Sequence, residues 1–120
     1  MAIAFSISTA HVCHVTMTLG TAASVYHVVP YNCKLIAVYT IIDAALATAN
    51  EVLTVKNAVG GSTAGTVTIT QAGSAAGDVD SVAPTTNNTF LPGTGVVEIA
   101  TDGGNTVAAR CDITLVFQPV

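Results

Sequence analysis

The chain has 120 residues, which suits a single domain, and 8% of them are charged against 51% apolar, whereas soluble domains average about 25% charged residues. We therefore expect partners to cover much of its surface, because exposed charges keep free proteins soluble and apart. The net charge of −4, with three basic residues, excludes nucleic-acid binding, and the lack of a run of about 18 apolar residues excludes a membrane-spanning helix.

The N-terminal segment, residues 1–10, is apolar and predicts an extended arm or an edge strand, followed by a β-sandwich domain over residues 11–120. It lacks the basic region of a secretory signal, so no export is expected. An exposed arm bearing Ile3, Phe5 and Ile7 would be adhesive. We therefore predict that these three side chains contact a partner or another subunit.

The next two segments are predicted strands. Apolar and polar side chains alternate over residues 12–19, which is the period of a half-buried strand. Its apolar face consists of Cys13, Val15, Met17 and Leu19. Residues 23–29 form a second extended stretch, which the Pro30-Tyr31-Asn32 turn sequence ends.

Residues 34–42 are apolar on both faces. This pattern predicts a strand that is buried on both sides or that meets another subunit. The Ala-rich segment 43–50 predicts a helix of about two turns with Asp43 as its N-cap.

The second half of the chain predicts further short strands at 51–57, 66–70, 78–82, 89–91 and 96–100, with an irregular stretch over 71–95. The Asp102-Gly-Gly-Asn turn sequence predicts a hairpin. It leads into residues 106–117, where the alternation is strongest. Six consecutive odd-numbered side chains there form one apolar face: Val107, Ala109, Cys111, Ile113, Leu115 and Phe117.

Seven to nine short strands separated by turn sequences predict an all-β fold, a single antiparallel β-sandwich of the jelly-roll kind. The sequence has no internal repeat and no linker. We expect a homo-oligomer, because the apolar strand over 34–42 and the low charge require buried contacts.

Groups that could hold a metal ion are few. In His11-Val-Cys-His14, the side chains of Cys13 and His14 point to opposite faces of a strand, so they cannot share one ion. Asp78, Asp80 and Asp102 could supply oxygen ligands to Ca²⁺. Because Asp also favours turns through hydrogen bonds to its own backbone, we predict turn roles for them and no metal.

No catalytic motif is present, so we expect no enzyme activity and no cofactor. The chain has no G-x-S-x-G sequence, and its two glutamates, Glu51 and Glu98, lie within predicted strands. Without export, Cys13, Cys33 and Cys111 are predicted to be free buried thiols.

The aromatic residues leave a carbohydrate-binding module as an alternative. Such a module needs exposed aromatic rings, for which Tyr26 and Tyr31 are the candidates. Tyr39 and Phe117 are predicted to pack in the core instead.

Four stretches between about residues 34 and 118 resemble small head decoration, or cement, proteins of tailed phages. They are Lys34-Leu-Ile-Ala-Val-Tyr, Glu51-Val-Leu-Thr-Val-Lys-Asn, Gly73-Ser-Ala-Ala-Gly-Asp-Val-Asp and Glu98-Ile-Ala-Thr-Asp-Gly-Gly with its long closing strand. The resemblance implies a jelly-roll-like virion protein on the outer capsid, bound to the major capsid protein and forming a homotrimer. It transfers no individual contact residue. A tail, fibre or baseplate module of a phage is the other virion alternative.

Overall fold

The computed structural model describes residues 10–29, 31–91 and 95–120, and the described residues form β-strands, turns and loops. The strands are β1 (His11–Thr18), β2 (Ala23–Val29), β3 (Cys33–Ile42), β4 (Glu51–Asn57), β5 (Ser62–Ile69), β6 (Val79–Val82), β7 (Thr89–Phe90), β8 (Gly95–Thr101) and β9 (Arg110–Pro119). None of the described residues lies in a helix of the length and hydrophobicity needed to cross a membrane.

The strands form two antiparallel sheets that pack face to face. The first sheet has the order β1-β9-β3-β6, with the two-residue β7 also pairing with β3, and the second has the order β2-β8-β4-β5. Apart from the β4–β5 and β6–β7 connections, successive strands alternate between the sheets, which is the double Greek key of a jelly roll. The predicted all-β, antiparallel β-sandwich is confirmed.

The core lies between the sheets and is built from alternate residues of each strand. On β9 every second side chain from Cys111 to Phe117 is buried, as predicted. On β4 the side chains of Leu53 and Val55 face inward, also as predicted. At about 25 cal/mol per Å² of apolar surface removed from water, these faces supply the main driving force for folding.

The predicted hairpin at residues 102–105 is wrong, and so is the predicted start of the last strand at Thr106. The chain leaves β8 in the second sheet and enters β9 in the first, so this segment crosses between sheets. The side chain of Asp102 accepts hydrogen bonds from Val52 N (3.0 Å) and Gly104 N (2.9 Å). These bonds hold the turn against β4 where the chain crosses from one sheet to the other.

The predicted helix over 43–50 is also wrong. The carboxylate of Asp43 accepts a hydrogen bond from Arg110 N (2.7 Å), and Leu46 N donates to Ser74 Oγ (2.8 Å). Thr48 has a positive φ of 79°, which an α-helix does not allow. Bonds to other segments replace the internal bonds that so short a helix could have made.

Strand β3 buries one face and leaves much of the other open to solvent. Leu35, Val38 and Ile42 are in the core, whereas Tyr39 is 46% exposed on the outer face of the first sheet. The register with β9 shifts between Leu35 and Ala37, which is where the strand accommodates an extra residue. The predicted core position of Tyr39 is therefore wrong, and that of Phe117, which is buried, is confirmed.

The strands run between two opposite ends of the sandwich. One end, which we call the apolar end, contains the start of β1, the end of β9, the β4–β5 turn and the loops next to β7. The other, which we call the acidic end, contains the β1–β2, β3–β4, β5–β6 and β8–β9 connections. A ten-residue strand such as β3 separates them by roughly 30 Å.

Candidate functional site

The three predicted contact residues, Ile3, Phe5 and Ile7, lie outside the described residues. They precede Ala10, which leads directly into β1 at the apolar end. A contact site formed by the described residues must therefore lie on the β-sandwich domain.

Within the part of the chain that the structure describes, the apolar end carries five large aliphatic side chains that are more than half exposed. Two of them, Val59 in the β4–β5 turn and Leu91 in the loop after β7, are 64% and 61% exposed. The full set is Val12, Val28, Val59, Leu91 and Val120. Because they come from five separate segments, no single stretch of sequence reveals this surface.

The acidic end carries most of the charge. Six of the seven acidic residues lie in its connections or within three residues of them: Asp43, Glu51, Asp78, Asp80, Asp102 and Asp112. Arg110 is the basic residue there and forms an exposed ion pair with Asp112 at 3.4 Å. Lys34, Lys56 and Glu98 lie nearer the apolar end.

Glu51 organises the connections of the acidic end. Its carboxylate is fully buried and accepts hydrogen bonds from Gly20 N (3.2 Å), Asn105 N (2.9 Å), Asn105 Nδ2 (2.6 Å) and the hydroxyl of Thr101. Burial by itself raises the pKa of Glu51, but these bonds outweigh it and hold the pKa below its ordinary value. The buried carboxylate therefore links β4 to the β1–β2 and β8–β9 connections in its charged form.

Nearby, Gly103 allows two of these connections to approach closely. It has a φ of +65°, and a Cβ there would collide with the backbone nitrogen of Ala22. Only glycine fits both the conformation and the space.

Glu98 supports the apolar end from the outer face of the second sheet. Its carboxylate accepts hydrogen bonds from Gly60 N (2.7 Å) and Ser24 Oγ (2.7 Å). The bond from Gly60, followed by the bond from Ser24 and the charge of Lys56, lowers the pKa of Glu98. The β4–β5 turn that presents Val59 is thus fixed to β8 and β2.

Three asparagines hold the loop before β7 at the same end. Asn57 Nδ2 donates to the carbonyl oxygens of Asn87 and Thr89, both at 2.9 Å. Asn87 Nδ2 donates to Thr63 O (3.1 Å), and Asn88 Nδ2 donates to Leu35 O (3.0 Å). The exposed aliphatic side chains of the apolar end therefore lie next to a backbone held by many bonds.

A smaller apolar surface lies on the outer face of the first sheet. Tyr39, Ile41 and Val79 line a shallow depression of about 250 Å³ together with Thr40, Asp112 and Thr114. Tyr26, the other strongly exposed tyrosine, lies on the outer face of the second sheet. The two rings therefore cannot form a row on one surface.

The sequence candidates for metal binding do not come together. Cys13 packs against the core, whereas His14 faces outward with its Nδ1 3.2 Å from Thr114 Oγ1. Asp78 accepts a hydrogen bond from Ala75 N (2.9 Å) in a turn, the role predicted for it. Among residues 10–29, 31–91 and 95–120, no group of three or more His, Cys, Asp or Glu side chains could hold a metal ion.

The cysteines are free thiols, as predicted, with Cys33 and Cys111 buried and Cys13 partly buried. Burial raises the pKa of all three, and that of Cys111 to about 12. They stay protonated near neutral pH and are poor nucleophiles in that form.

The fold is shared with chains from two phage capsid structures. A chain of the acidic stable capsid structure of Helicobacter pylori bacteriophage KHP30 superposes with a TM-score of 0.60 and 9% identity, over 94% of this chain and 90% of that one. A chain of the cyanophage Pam1 capsid asymmetric unit gives a TM-score of 0.57 and 17% identity, over 100% and 92%. No family model matches the sequence, and neither does any curated protein.

The resemblance to phage virion β-sandwich proteins is thus confirmed at the level of the fold. The alternating strands were visible in the sequence. The two differing ends were not, because they are assembled from loops that are distant in the chain.

Proposed function

We propose that the protein is a structural component of a phage virion, a decoration or cement protein that binds the outer capsid and stabilises the joints between capsomers. The observation that carries this proposal is the jelly roll that it shares with chains of two phage capsid structures over at least nine-tenths of each chain. The partner is the major capsid protein, and the protein acts as a homotrimer on the virion after synthesis in the host cytoplasm.

The composition supports this role. A protein that binds the assembled lattice but not free capsid subunits stabilises the lattice by linkage. Binding of that kind requires a surface that can be covered without burying unpaired charges, which costs several kcal/mol for each charge. With 8% charged residues and six of its seven acidic groups at one end, this chain offers at the other end a surface with few charges, namely Lys34, Lys56 and the hydrogen-bonded Glu98.

The N-terminal residues Ile3, Phe5 and Ile7 are proposed to contact the capsid or a neighbouring subunit. They belong to a segment, residues 1–9, that has no ionisable side chain. The protein is proposed to need no cofactor and to carry out no catalysis.

Among the alternatives, a carbohydrate-binding module is disfavoured because one of its two candidate rings, Tyr31, packs against the core. The most exposed tyrosines, Tyr26 and Tyr39, lie on opposite outer faces. A tail, fibre or baseplate module would share the composition and the fold. The capsid origin of both solved structures favours the head.

The test is to mix the purified protein with capsids that lack it and to measure co-sedimentation and capsid heat resistance. We expect saturable binding and a higher temperature of capsid disruption. Protein that stays in the supernatant at every concentration, with intact capsids in the pellet, would contradict the proposal.

A further inference from the structure

We infer that the apolar end of the sandwich is the surface that docks on the capsid, and that the acidic end faces the solvent. This orientation rests on the proposed function and adds to it which part of the protein makes the contact. The occupant of the apolar end is the surface of the capsid lattice.

Burial favours the apolar end. Covering Val28, Val59 and Leu91 removes apolar surface from water, which is favourable. The backbone beneath is already ordered by Glu98 and Asn57, so docking costs little additional conformational entropy.

Charge disfavours the acidic end. Docking there would remove Asp43, Asp78 and Asp102 from water, and Arg110, the basic residue at that end, already pairs with Asp112. These three carboxylates accept backbone hydrogen bonds but have no ion-pair partner among the described residues, so burying their charge is unfavourable. An acidic surface left in solvent also helps to keep decorated particles apart.

The position of the N-terminal segment favours the same orientation. Residues 1–9 precede Ala10, which leads into β1. Strand β1 begins at the apolar end, where the exposed aliphatic side chains lie. The segment that carries Ile3, Phe5 and Ile7 therefore joins the sandwich at this end and not at the acidic end.

A matched pair of valines tests the inference. Val59 and Val79 are 64% and 61% exposed, the first at the apolar end and the second at the start of β6, near the acidic end. In co-sedimentation with capsids, Val59→Asp combined with Leu91→Asp should weaken binding at least tenfold. Val79→Asp should change it less than twofold.

The outcomes separate the two proposals. If the unaltered protein does not bind capsids, the proposed function fails. If it binds and the Val59→Asp, Leu91→Asp variant binds equally well, or if Val79→Asp abolishes binding, the orientation is wrong. If native mass spectrometry shows that the double variant loses its oligomeric state and not its affinity for capsids, the apolar end is covered by a second copy, which also overturns the inference.

Thiol labelling gives a second measurement that does not depend on the charged variants folding. Cys33 and Cys111 are buried, so a new exposed cysteine will react much faster than they do. On decorated particles, a Val59→Cys thiol should be protected at least tenfold relative to free protein, and a Val79→Cys thiol should label at its free rate. The reverse pattern would show that the face around Val79, and not the apolar end, docks.

Discussion

Each end of the sandwich has a glutamate whose carboxylate accepts several hydrogen bonds, but the two glutamates lie in different places and fix different parts of the fold. At the acidic end, Glu51 lies inside the fold and bonds to loops from two other connections. At the apolar end, Glu98 lies on the outer face of a sheet and fixes a turn whose side chains remain exposed. Hydrogen bonds inside the fold thus stabilise the acidic end, whereas at the apolar end they fix the backbone beneath a surface that the other described residues leave exposed.

The difference shows why a charge-poor protein retains seven acidic residues. Two of them, Glu51 and Glu98, are covered by the fold, and their carboxylates accept several hydrogen bonds. The five others lie at the end that, on our account, stays in solvent, where Asp43, Asp78 and Asp102 also bond to loop backbone. Substitution of the exposed aliphatic side chains at the apolar end should therefore change binding, whereas substitution of the hydrogen-bonded carboxylates should change stability.

The largest expected effect concerns the core that joins the two ends. Ile113 is fully buried on β9, so Ile113→Asp places an unpaired carboxylate between the sheets and should lower the free energy of unfolding by about 4 kcal/mol or more. Urea unfolding followed by circular dichroism measures this. Thr114→Asp, on the outward face of the same strand, is the control and should cost far less. Equal losses would mean that the faces of β9 are assigned wrongly.

The second-largest expected effect is a difference in stability between variants of the two glutamates. Glu51→Ala leaves buried donors on Asn105, Thr101 and Gly20 without an acceptor and should cost about 3–5 kcal/mol. Glu98→Ala should cost less, because solvent can reach the donors on Gly60 and Ser24 more easily. Thermal unfolding of both variants measures the difference. A larger loss for Glu98→Ala would reverse our comparison of the two ends.

Acid should destabilise the protein, and Glu51 should be the main cause. The pKa of Glu51 is lowered in the folded state, so its contribution is fully present above its unfolded value of about 4.3 and is lost as the pH falls through the folded pKa. Glu98 has the same sign. Melting temperatures measured from pH 7 down to pH 3 should fall, and Glu51→Gln should flatten this dependence. An equally steep fall in that variant would assign the effect to other carboxylates.

The smallest effect should be local to the apolar end. Asn57→Ala removes two hydrogen bonds to the loop before β7 and should cost about 1–2 kcal/mol. Hydrogen exchange should speed up in residues 83–91 and remain slow in the connections of the acidic end. Faster exchange at both ends would show that the ends are not independent.

The sequence predicts the strands well where burial alone determines them. Alternation on residues 12–19 and on 111–117 follows directly from a sheet with one buried face. Prediction from the sequence fails where side chains form hydrogen bonds to backbone groups that are distant in the chain. Asp43 has the composition of a helix cap, yet its carboxylate bonds to Arg110, which is 67 residues away. Tyr39 is flanked in the sequence by residues whose side chains are buried, but its own side chain lies on the solvent-exposed face of the strand.

The candidate surface could be predicted only in part. The N-terminal contacts were inferred from hydrophobicity and still stand as a prediction. Val59 and Leu91 belong to turns that give no local signal, and they come together only because the jelly roll brings the β4–β5 turn and the loop after β7 to one end. The role of Glu51 also depends on this topology, since its partners lie 31 to 54 residues away.

The most direct test is a cryo-electron microscopy map of the phage particle at a resolution that resolves strands. Our account predicts this jelly roll on the outside of the head, with the β4–β5 turn and Leu91 against the lattice and Asp43, Asp78 and Asp102 facing outward. Density for the chain in the tail, or on the head with the acidic end against the shell, would contradict it.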